Sequence, residues 1–138
     1  MLVHFDSHGG GPALLFIPGL GAEVACWDLQ IPGLAREFQV VRVDPRGAGR
    51  SPAPPGPYSL DQMADDVVEV LDHLQIRSAV VVGHSMGGGV AQSLASRYPE
   101  RVAGLVLVAT ACCLEARALQ VLQSWSEWLD QGLSRQAF

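Results

Sequence analysis

The apolar residues of the chain are concentrated in five short runs, separated by polar or glycine-rich stretches. The last four runs are almost continuously apolar, which is typical of strands buried on both faces of a parallel sheet. Three glycines, Gly9 to Gly11, join the first two runs and predict a hairpin-like turn between them. The pattern therefore predicts five strands: LVHF (2–5), ALLFI (13–17), FQVVRVD (38–44), AVVVG (79–83) and VAGLVLVA (102–109).

Helical spacing of apolar residues occurs between and after the later runs. Residues 28–36 form a weak pattern interrupted by a proline. A stronger pattern starts at Ser59, where Gln62 three residues later completes a capping box. Residues 86–97 predict a helix that starts directly after a serine. A last helix is predicted over 114–130, with an apolar stripe of Leu114, Ala118, Val121, Leu122, Trp125 and Leu129.

The order of these elements determines the predicted fold class. Strands that alternate with helices indicate a mostly parallel sheet of about five strands with crossover helices, which is an α/β fold. The proline-rich stretch SPAPPGPY (51–58) is interpreted as a stiff surface loop, not as a linker between domains. Residues 1–138 are therefore predicted to form a single α/β domain.

Composition and charge exclude several classes of partner. Apolar residues make up 49% of the 138 residues and charged residues 17%, which is typical of a globular protein. The net charge is −5, and the nine basic residues, all arginine, are scattered. Because no basic run is present, nucleic acid is not expected as a partner. No apolar run approaches the roughly 20 residues of a membrane span, so no membrane is expected as a partner either.

The cysteines suggest a reducing compartment. Cys26, Cys112 and Cys113 are odd in number, and two of them are adjacent, which does not suit a disulfide framework. We interpret them as reduced thiols of a cytoplasmic protein, and the N-terminus shows no signal peptide. The spacing of the cysteines and histidines fits no metal site, so we expect neither a metal nor a cofactor.

Candidate chemistry lies at the end of the fourth apolar run. In VVGHSMGGGV (81–90), Ser85 stands between Gly83 and Gly87 where a strand turns into a helix. Such a corner leaves no room for side chains two residues before and after it, and it holds the serine in a strained conformation with φ > 0. The helix directs its N-terminal amides to the same space, where they favour a developing negative charge. The simpler alternative is a glycine-rich turn with a serine N-cap.

Three segments resemble the α/β-hydrolase superfamily. They are FIPGLG (16–21), residues 26–76 with the turn DPRGAGRS (44–51), and residues 83–111, which begin with GHSMGGGV. The resemblance therefore runs over nearly the whole chain and is closest to small esterases, enol-lactonases and cofactor-free haloperoxidases. The resemblance implies that Ser85 is the nucleophile and that the amides of Leu20 and Met86 form the oxyanion hole. It also implies structural roles in a turn for Asp44, Arg46 and Gly47. The chain departs from the usual pattern at Pro18 and at Ala48, where many relatives have histidine.

The same resemblance implies an acid and a histidine after the serine. The four histidines, His4, His8, His73 and His84, all precede Ser85. None of them suits the role of general base, and Glu115 is only a weak candidate for the acid. We therefore interpret the chain as the N-terminal portion of an incomplete α/β-hydrolase fold, with residues 114–138 as the start of a lid and a lid-like helix at its end.

Two functions remain open at this point. The first is a serine hydrolase acting on a small ester or lactone through an acyl-enzyme, inactive or weakly active alone because the triad is incomplete. The alternative is a non-catalytic, truncated scaffold that binds a ligand or a partner chain. A nucleotide-binding role is disfavoured, because the chain has neither Gly-x-Gly-x-x-Gly nor any lysine. The apolar edge at 102–109 and the helix at 114–130 predict self-association or a complementing chain.

Overall fold

The computed structural model describes residues 1–112 and Gln120, and these residues form an α/β fold around one five-stranded sheet. The predicted helix at 114–130 and the lid region therefore lie outside the described residues, apart from Gln120. The strands are β1 (Phe5–His8), β2 (Ala13–Ile17), β3 (Gln39–Val43), β4 (Ala79–His84) and β5 (Val102–Val108). The α-helices are α1 (Ile31–Leu34), α2 (Leu60–His73) and α3 (Met86–Arg97). Short 3₁₀ turns span Val24–Trp27 and Pro99–Arg101.

The sheet has the order β1-β3-β2-β4-β5 and is mostly parallel, as predicted. Strands β3, β2, β4 and β5 are parallel to one another, and β1 pairs with β3 in the antiparallel sense. Because β2 and β4 are parallel neighbours, the loop after β2 and the corner after β4 lie together at the carboxyl ends of the strands. Ligands bind at these ends in open α/β folds.

The expected hairpin between the first two strands is wrong. The first strand lies at Phe5–His8, three residues later than predicted, and it pairs with β3. At the glycines the backbone packs directly against the backbone of the connection between α1 and β3. A β-carbon on Gly9, whose φ is 75°, would lie 2.5 Å from the carbonyl oxygen of Phe38. The glycine run thus permits a close crossing of backbones and not a tight hairpin.

The core lies between one face of the sheet and the helices α2 and α3. Alternate residues of a strand point to the same face, and Leu15, Val41 and Val81 are fully buried on the face that the two helices cover. The predicted capping box of α2 is confirmed, since Ser59 Oγ accepts from the Gln62 amide at 3.1 Å and Gln62 Oε1 accepts from the Ser59 amide at 3.1 Å. Within the described residues, no helix is long and apolar enough to cross a membrane.

The opposite face is organised around a buried cation. Arg42 on β3 is 5% exposed and makes a bidentate ion pair with Asp6 of β1, at 2.6 and 2.8 Å. Its remaining nitrogen donates to Asp28 Oδ1 at 2.5 Å and to the carbonyl oxygen of Val24 at 2.9 Å. These bonds raise the pKa of Arg42 despite its burial. Arg42 thereby attaches both the edge strand and the 3₁₀ turn at Val24–Trp27 to the sheet.

Candidate active site

Ser85 occupies a sharp corner between β4 and α3. The strand ends at His84 and the helix begins at Met86, so Ser85 is the one residue between them. Its backbone has φ 52° and ψ −118°, which is the positive φ expected from the sequence. A non-glycine residue in such a region is strained by about 1–3 kcal/mol, and strain of this kind is concentrated at functional sites. The Ser85 side chain is exposed and makes no cap bond to its own helix.

The two flanking glycines lie where a side chain does not fit. A β-carbon on Gly83 would be 2.5 Å from the carbonyl oxygen of Gly87. A β-carbon on Gly87 would overlap the carbonyl oxygen of Ile17 and lie 2.5 Å from that of Pro18. The corner can therefore pack directly on the end of β2 only because position 87 has no side chain.

The loop after β2 lies against the serine. A β-carbon on Gly19 would be 3.3 Å from Ser85 Cβ and 3.1 Å from His84 Nδ1. Leu20 follows Gly19 directly, so its amide nitrogen is bonded to the carbonyl carbon of Gly19. Leu20 itself is 63% exposed. Met86 is the first residue of α3, and its amide belongs to the N–H groups that have no acceptor within a helix. The two donors expected from the sequence, the amides of Leu20 and Met86, thus belong to the loop that packs on Ser85 and to the helix that begins directly after it.

The turn formed by DPRGAGRS (44–51) supports this end of the sheet and does not reach the serine. Asp44 is fully buried and accepts hydrogen bonds from the amides of Val24, at 2.7 Å, and Arg50, at 2.9 Å. Arg46 makes a bidentate ion pair with the buried Asp66 of α2, at 2.7 and 2.8 Å. The hydrogen bonds that Arg46 donates to the Asp66 carboxylate raise the pKa of Arg46. These contacts attach the turn to α2 and to the segment after β2.

The four histidines lie in the described part of the chain, and none of them forms a hydrogen bond with Ser85. The carbonyl of His4 pairs with the amide of Asp44 on the far side of β3. From β1 to β4 is three strand spacings, about 14 Å. His8 lies opposite Val40 at the other end of β3, and the ring of His73 packs on Phe5.

His84 adjoins Ser85 in sequence, but its side chain lies on the face of β4 away from α2 and α3 and packs on Trp27. The ring meets Trp27 edge to face, with centroids 6.4 Å apart and planes at 87°. Trp27 also packs on Phe16 at 5.0 Å, and its indole nitrogen is buried without a partner among the described residues. His84 is therefore a packing residue behind the corner. Sequence reasoning singled out neither Trp27 nor this stack, because the pairing joins distant segments.

The remaining candidates for chemistry are the acid Glu115, the cysteines and any metal-binding group. Glu115, the candidate acid, lies outside the described residues, as does Cys113. Cys26 and Cys112 are free thiols, and partial burial of the Cys26 thiol raises its pKa. Among residues 1–112, no three histidine, cysteine or carboxylate side chains are grouped so that they could hold a metal ion.

Comparison with known proteins identifies relatives of most of the chain. A family model for the alpha/beta hydrolase fold matches residues 12–137. The chain is 43% identical over 110 residues to 3-oxoadipate enol-lactonase 2 of Acinetobacter baylyi, covering 79% of this chain and 41% of that protein. It is also 43% identical over 110 residues to a protein of Caulobacter segnis provisionally named as the carbamate hydrolase RutD, covering 75% and 41%.

Solved structures give the same result. A hydrolase from Pseudomonas aeruginosa superposes with a TM-score of 0.81 at 40% identity, covering 86% of this chain and 46% of that one. The chain thus spans about two fifths of the length of the curated relatives it matches. The region that the family model matches includes the corner at Ser85 and the loop after β2.

Proposed function

The chain belongs to the α/β-hydrolase family, and from this premise we propose that it carries the nucleophile and the oxyanion donors of a serine hydrolase acting on a small carboxylic ester or lactone. Ser85 is the nucleophile, and the amides of Leu20 and Met86 are the donors. The free cysteines and the lack of a basic run support a cytoplasmic enzyme whose partner is a small molecule.

One observation carries the proposal: an exposed serine stands at a strained strand-to-helix corner, against the loop that follows β2. A glycine-rich turn that only caps a helix would place the serine oxygen on a helix amide. Ser85 makes no such bond, and its φ of 52° is not that of an ordinary N-cap. The strain is maintained by tight packing of Gly83 and Gly87, which a mere cap does not require.

The proposed reaction proceeds through an acyl-enzyme. Ser85 Oγ attacks the carbonyl carbon of the substrate while its proton passes to a histidine base. The carbonyl oxygen becomes an anion that the two amides stabilise by hydrogen bonds. The intermediate collapses, the bond to the alkoxy group breaks, and the leaving oxygen takes the proton. Water then attacks the carbonyl carbon of the acyl-enzyme while the histidine takes its proton. The bond to Ser85 Oγ breaks, Ser85 regains the proton and the carboxylic acid is released.

The proton acceptor is proposed to come from polypeptide other than these 138 residues. The chain has no histidine after Ser85, and none of the four before it forms a hydrogen bond with Ser85. Relatives are more than twice as long as the matched region. The acid that orients the histidine is proposed to have the same origin.

The substrate class rests on the relatives. One of them is named an enol-lactonase, which opens a cyclic ester, and this supports an ester or lactone. The other is named provisionally for carbamate hydrolysis, in which the same nucleophile and oxyanion donors would serve. The carbamate is therefore the comparison substrate in the test below.

The competing function is a non-catalytic scaffold that binds a ligand or a partner chain. The placement of the histidines favours it for this chain taken alone, because a serine hydroxyl without a base is a weak nucleophile. The two functions make different predictions about Ser85 when a base is supplied from solution.

The test uses imidazole as that base. The 138-residue chain is incubated with a 4-nitrophenyl ester, an aryl carbamate or a chromogenic lactone, with and without imidazole, and Ser85→Ala is treated identically. We expect nitrophenolate release and acylation of Ser85, located by mass spectrometry of peptides, to increase with imidazole above the Ser85→Ala background. Equal rates in the two proteins and no acyl group on Ser85 would overturn the enzymatic proposal and leave the scaffold.

A further inference from the structure

The corner at Ser85 has a second strained corner directly beside it. Strand β5 ends at Val108, and Ala109 follows with φ 49°, close to the 52° of Ser85. His84 and Val108 are partners in the parallel register. The Ser85 amide donates to the carbonyl oxygen of Val108 at 2.9 Å. One hydrogen bond thus joins Ser85, which has a positive φ, to Val108, the residue directly before Ala109.

The chain beyond Ala109 is pressed onto the first turn of α3. A β-carbon on Gly88 would lie 2.5 Å from Thr110 Cβ and 2.6 Å from its Oγ1. Thr110 therefore occupies the space that a side chain at position 88 would need. Gly88 is also linked to the corner, because its amide donates to the carbonyl oxygen of Ser85 at 2.9 Å.

One side chain connects the two segments. The Nε2 atom of Gln92 donates to the carbonyl oxygen of Gly88 at 3.1 Å and to that of Ala111 at 3.2 Å. The first acceptor lies one turn earlier on α3, and the second lies just beyond Thr110. An amide nitrogen has two hydrogens, so both bonds can form at once. Gln92 thus ties residues 109–111 to the helix that begins at the nucleophile.

We propose that Gln92 is a positioning residue for the nucleophile. It fixes residues 109–111 on α3, which fixes Val108 and the Ser85–Val108 hydrogen bond, and so keeps Ser85 in its strained conformation. The proposal rests on the proposed role of Ser85. Because Gln92 lies two turns along α3 from Ser85, it acts only through the backbone and does not contact substrate.

The test measures the backbone of Ser85, so it does not depend on turnover. Amide hydrogen exchange is followed by NMR in the 138-residue chain and in Gln92→Met, which keeps the size of the side chain but has no donor. We expect the Ser85 and Gly88 amides to exchange about tenfold faster in Gln92→Met, since two hydrogen bonds of ordinary strength are lost. Amides in the middle of β4, such as Val81, should keep their rates.

Two further variants separate positioning from general loosening. Gln92→Lys restores a donor and should return the Ser85 rate to within about twofold of the original. Ser93→Ala removes the neighbouring bond to Asp61 on the α2 side and should leave Ser85 exchange unchanged. Faster exchange throughout β4, or an unchanged Ser85 rate in Gln92→Met, would overturn the positioning role. Either result leaves the imidazole experiment on Ser85 unaffected.

Discussion

Gly87 packs so closely on Ile17 that a β-carbon at position 87 would overlap the carbonyl oxygen of residue 17. This contact joins the corner after β4 to the end of β2. It places the serine and the loop with the proposed oxyanion donor Leu20 on two segments whose backbones pack directly on each other.

Gly87→Ala should lower the free energy of unfolding by about 2–4 kcal/mol, because backbone atoms on both sides must move to admit the methyl group. Gly33→Ala is the matched control. Gly33 lies in α1 with no atom within 4 Å of an added β-carbon, so alanine there should be neutral or stabilise by up to about 1 kcal/mol. Urea unfolding of the two variants measures the difference. Similar values for both would contradict the packing seen at the corner.

Ser85→Gly should raise the free energy of unfolding by about 1 kcal/mol, because glycine adopts φ 52° without strain. Ser85→Ala removes the same hydroxyl but keeps the strain, so its stability should stay within about 0.5 kcal/mol of the original. Thermal and urea unfolding compare the three proteins. If glycine gave no more stability than alanine, the strain at this corner would be absent.

Two adjacent aspartates on α2 should differ in importance. Asp66 is 3% exposed and forms the bidentate pair with Arg46, so Asp66→Asn should destabilise by about 3 kcal/mol. Asp65 pairs with Arg97 at the surface, and Asp65→Asn should destabilise by less than about 1 kcal/mol. Chemical unfolding under identical conditions provides the comparison. Equal losses of stability in the two variants would show that burial of the Arg46–Asp66 ion pair does not increase its contribution to the free energy of unfolding.

Acid should weaken the attachment of β1. Burial raises the pKa of Asp6, but the hydrogen bond and charge of Arg42 outweigh it, so the folded pKa lies below 3.8. The unfolded chain therefore binds more protons in this range, and stability present above pH 3.8 is lost as the pH falls through the lower folded pKa. Urea unfolding at neutral pH and below 3.8 should show this loss.

The loss should be smaller in Asp6→Asn, which has no proton to gain at this position. Glu37→Gln is the control, because Glu37 is exposed and pairs with no cation among the residues that the structure describes. The control should keep the full acid sensitivity. An Asp6→Asn protein with unaltered acid sensitivity would refute the role assigned to the Arg42 pair.

Strand β5 should mediate association of the chain. It is the last strand of the described sheet, and Leu105 to Val108 are each between 38% and 45% exposed. An apolar edge of this kind pairs with other strands. We expect concentration-dependent association in sedimentation velocity, reduced by Val106→Lys. Leu29→Lys removes another exposed apolar side chain, away from β5, and should have no effect; a monomer at all concentrations contradicts the prediction.

Much of the fold follows from local patterns in the sequence. The bounds of α3 agree with the prediction at both ends, and the capping box located the start of α2, because both depend on residues within one turn. The strands β2 to β5 lie within one residue of the predicted runs. The pairing of β1 was not predictable, since its partner β3 is separated from it by an entire strand and helix.

The candidate site was likewise predictable only where it depends on local sequence. The motif around Ser85 indicated the corner, because glycine spacing is a local property. The Gln92 bridge to Ala111 and the packing of Trp27 on His84 join segments far apart in sequence, so no spacing rule indicates them. Contacts that position the serine from outside its own motif could be identified only from the coordinates.

The parallel register of β2 and β4 also has a consequence for refolding. Ile17 pairs with Gly83, and the 65 residues between them must close into a loop before that pairing forms. Loop closure on this scale makes non-local strand pairing slow. An intermediate that has only β1, β3 and β2 in place would lack the corner at Ser85 altogether. Recovery of the proposed reactivity of Ser85 would therefore report the arrival of the fourth strand, later than probes of overall helix content.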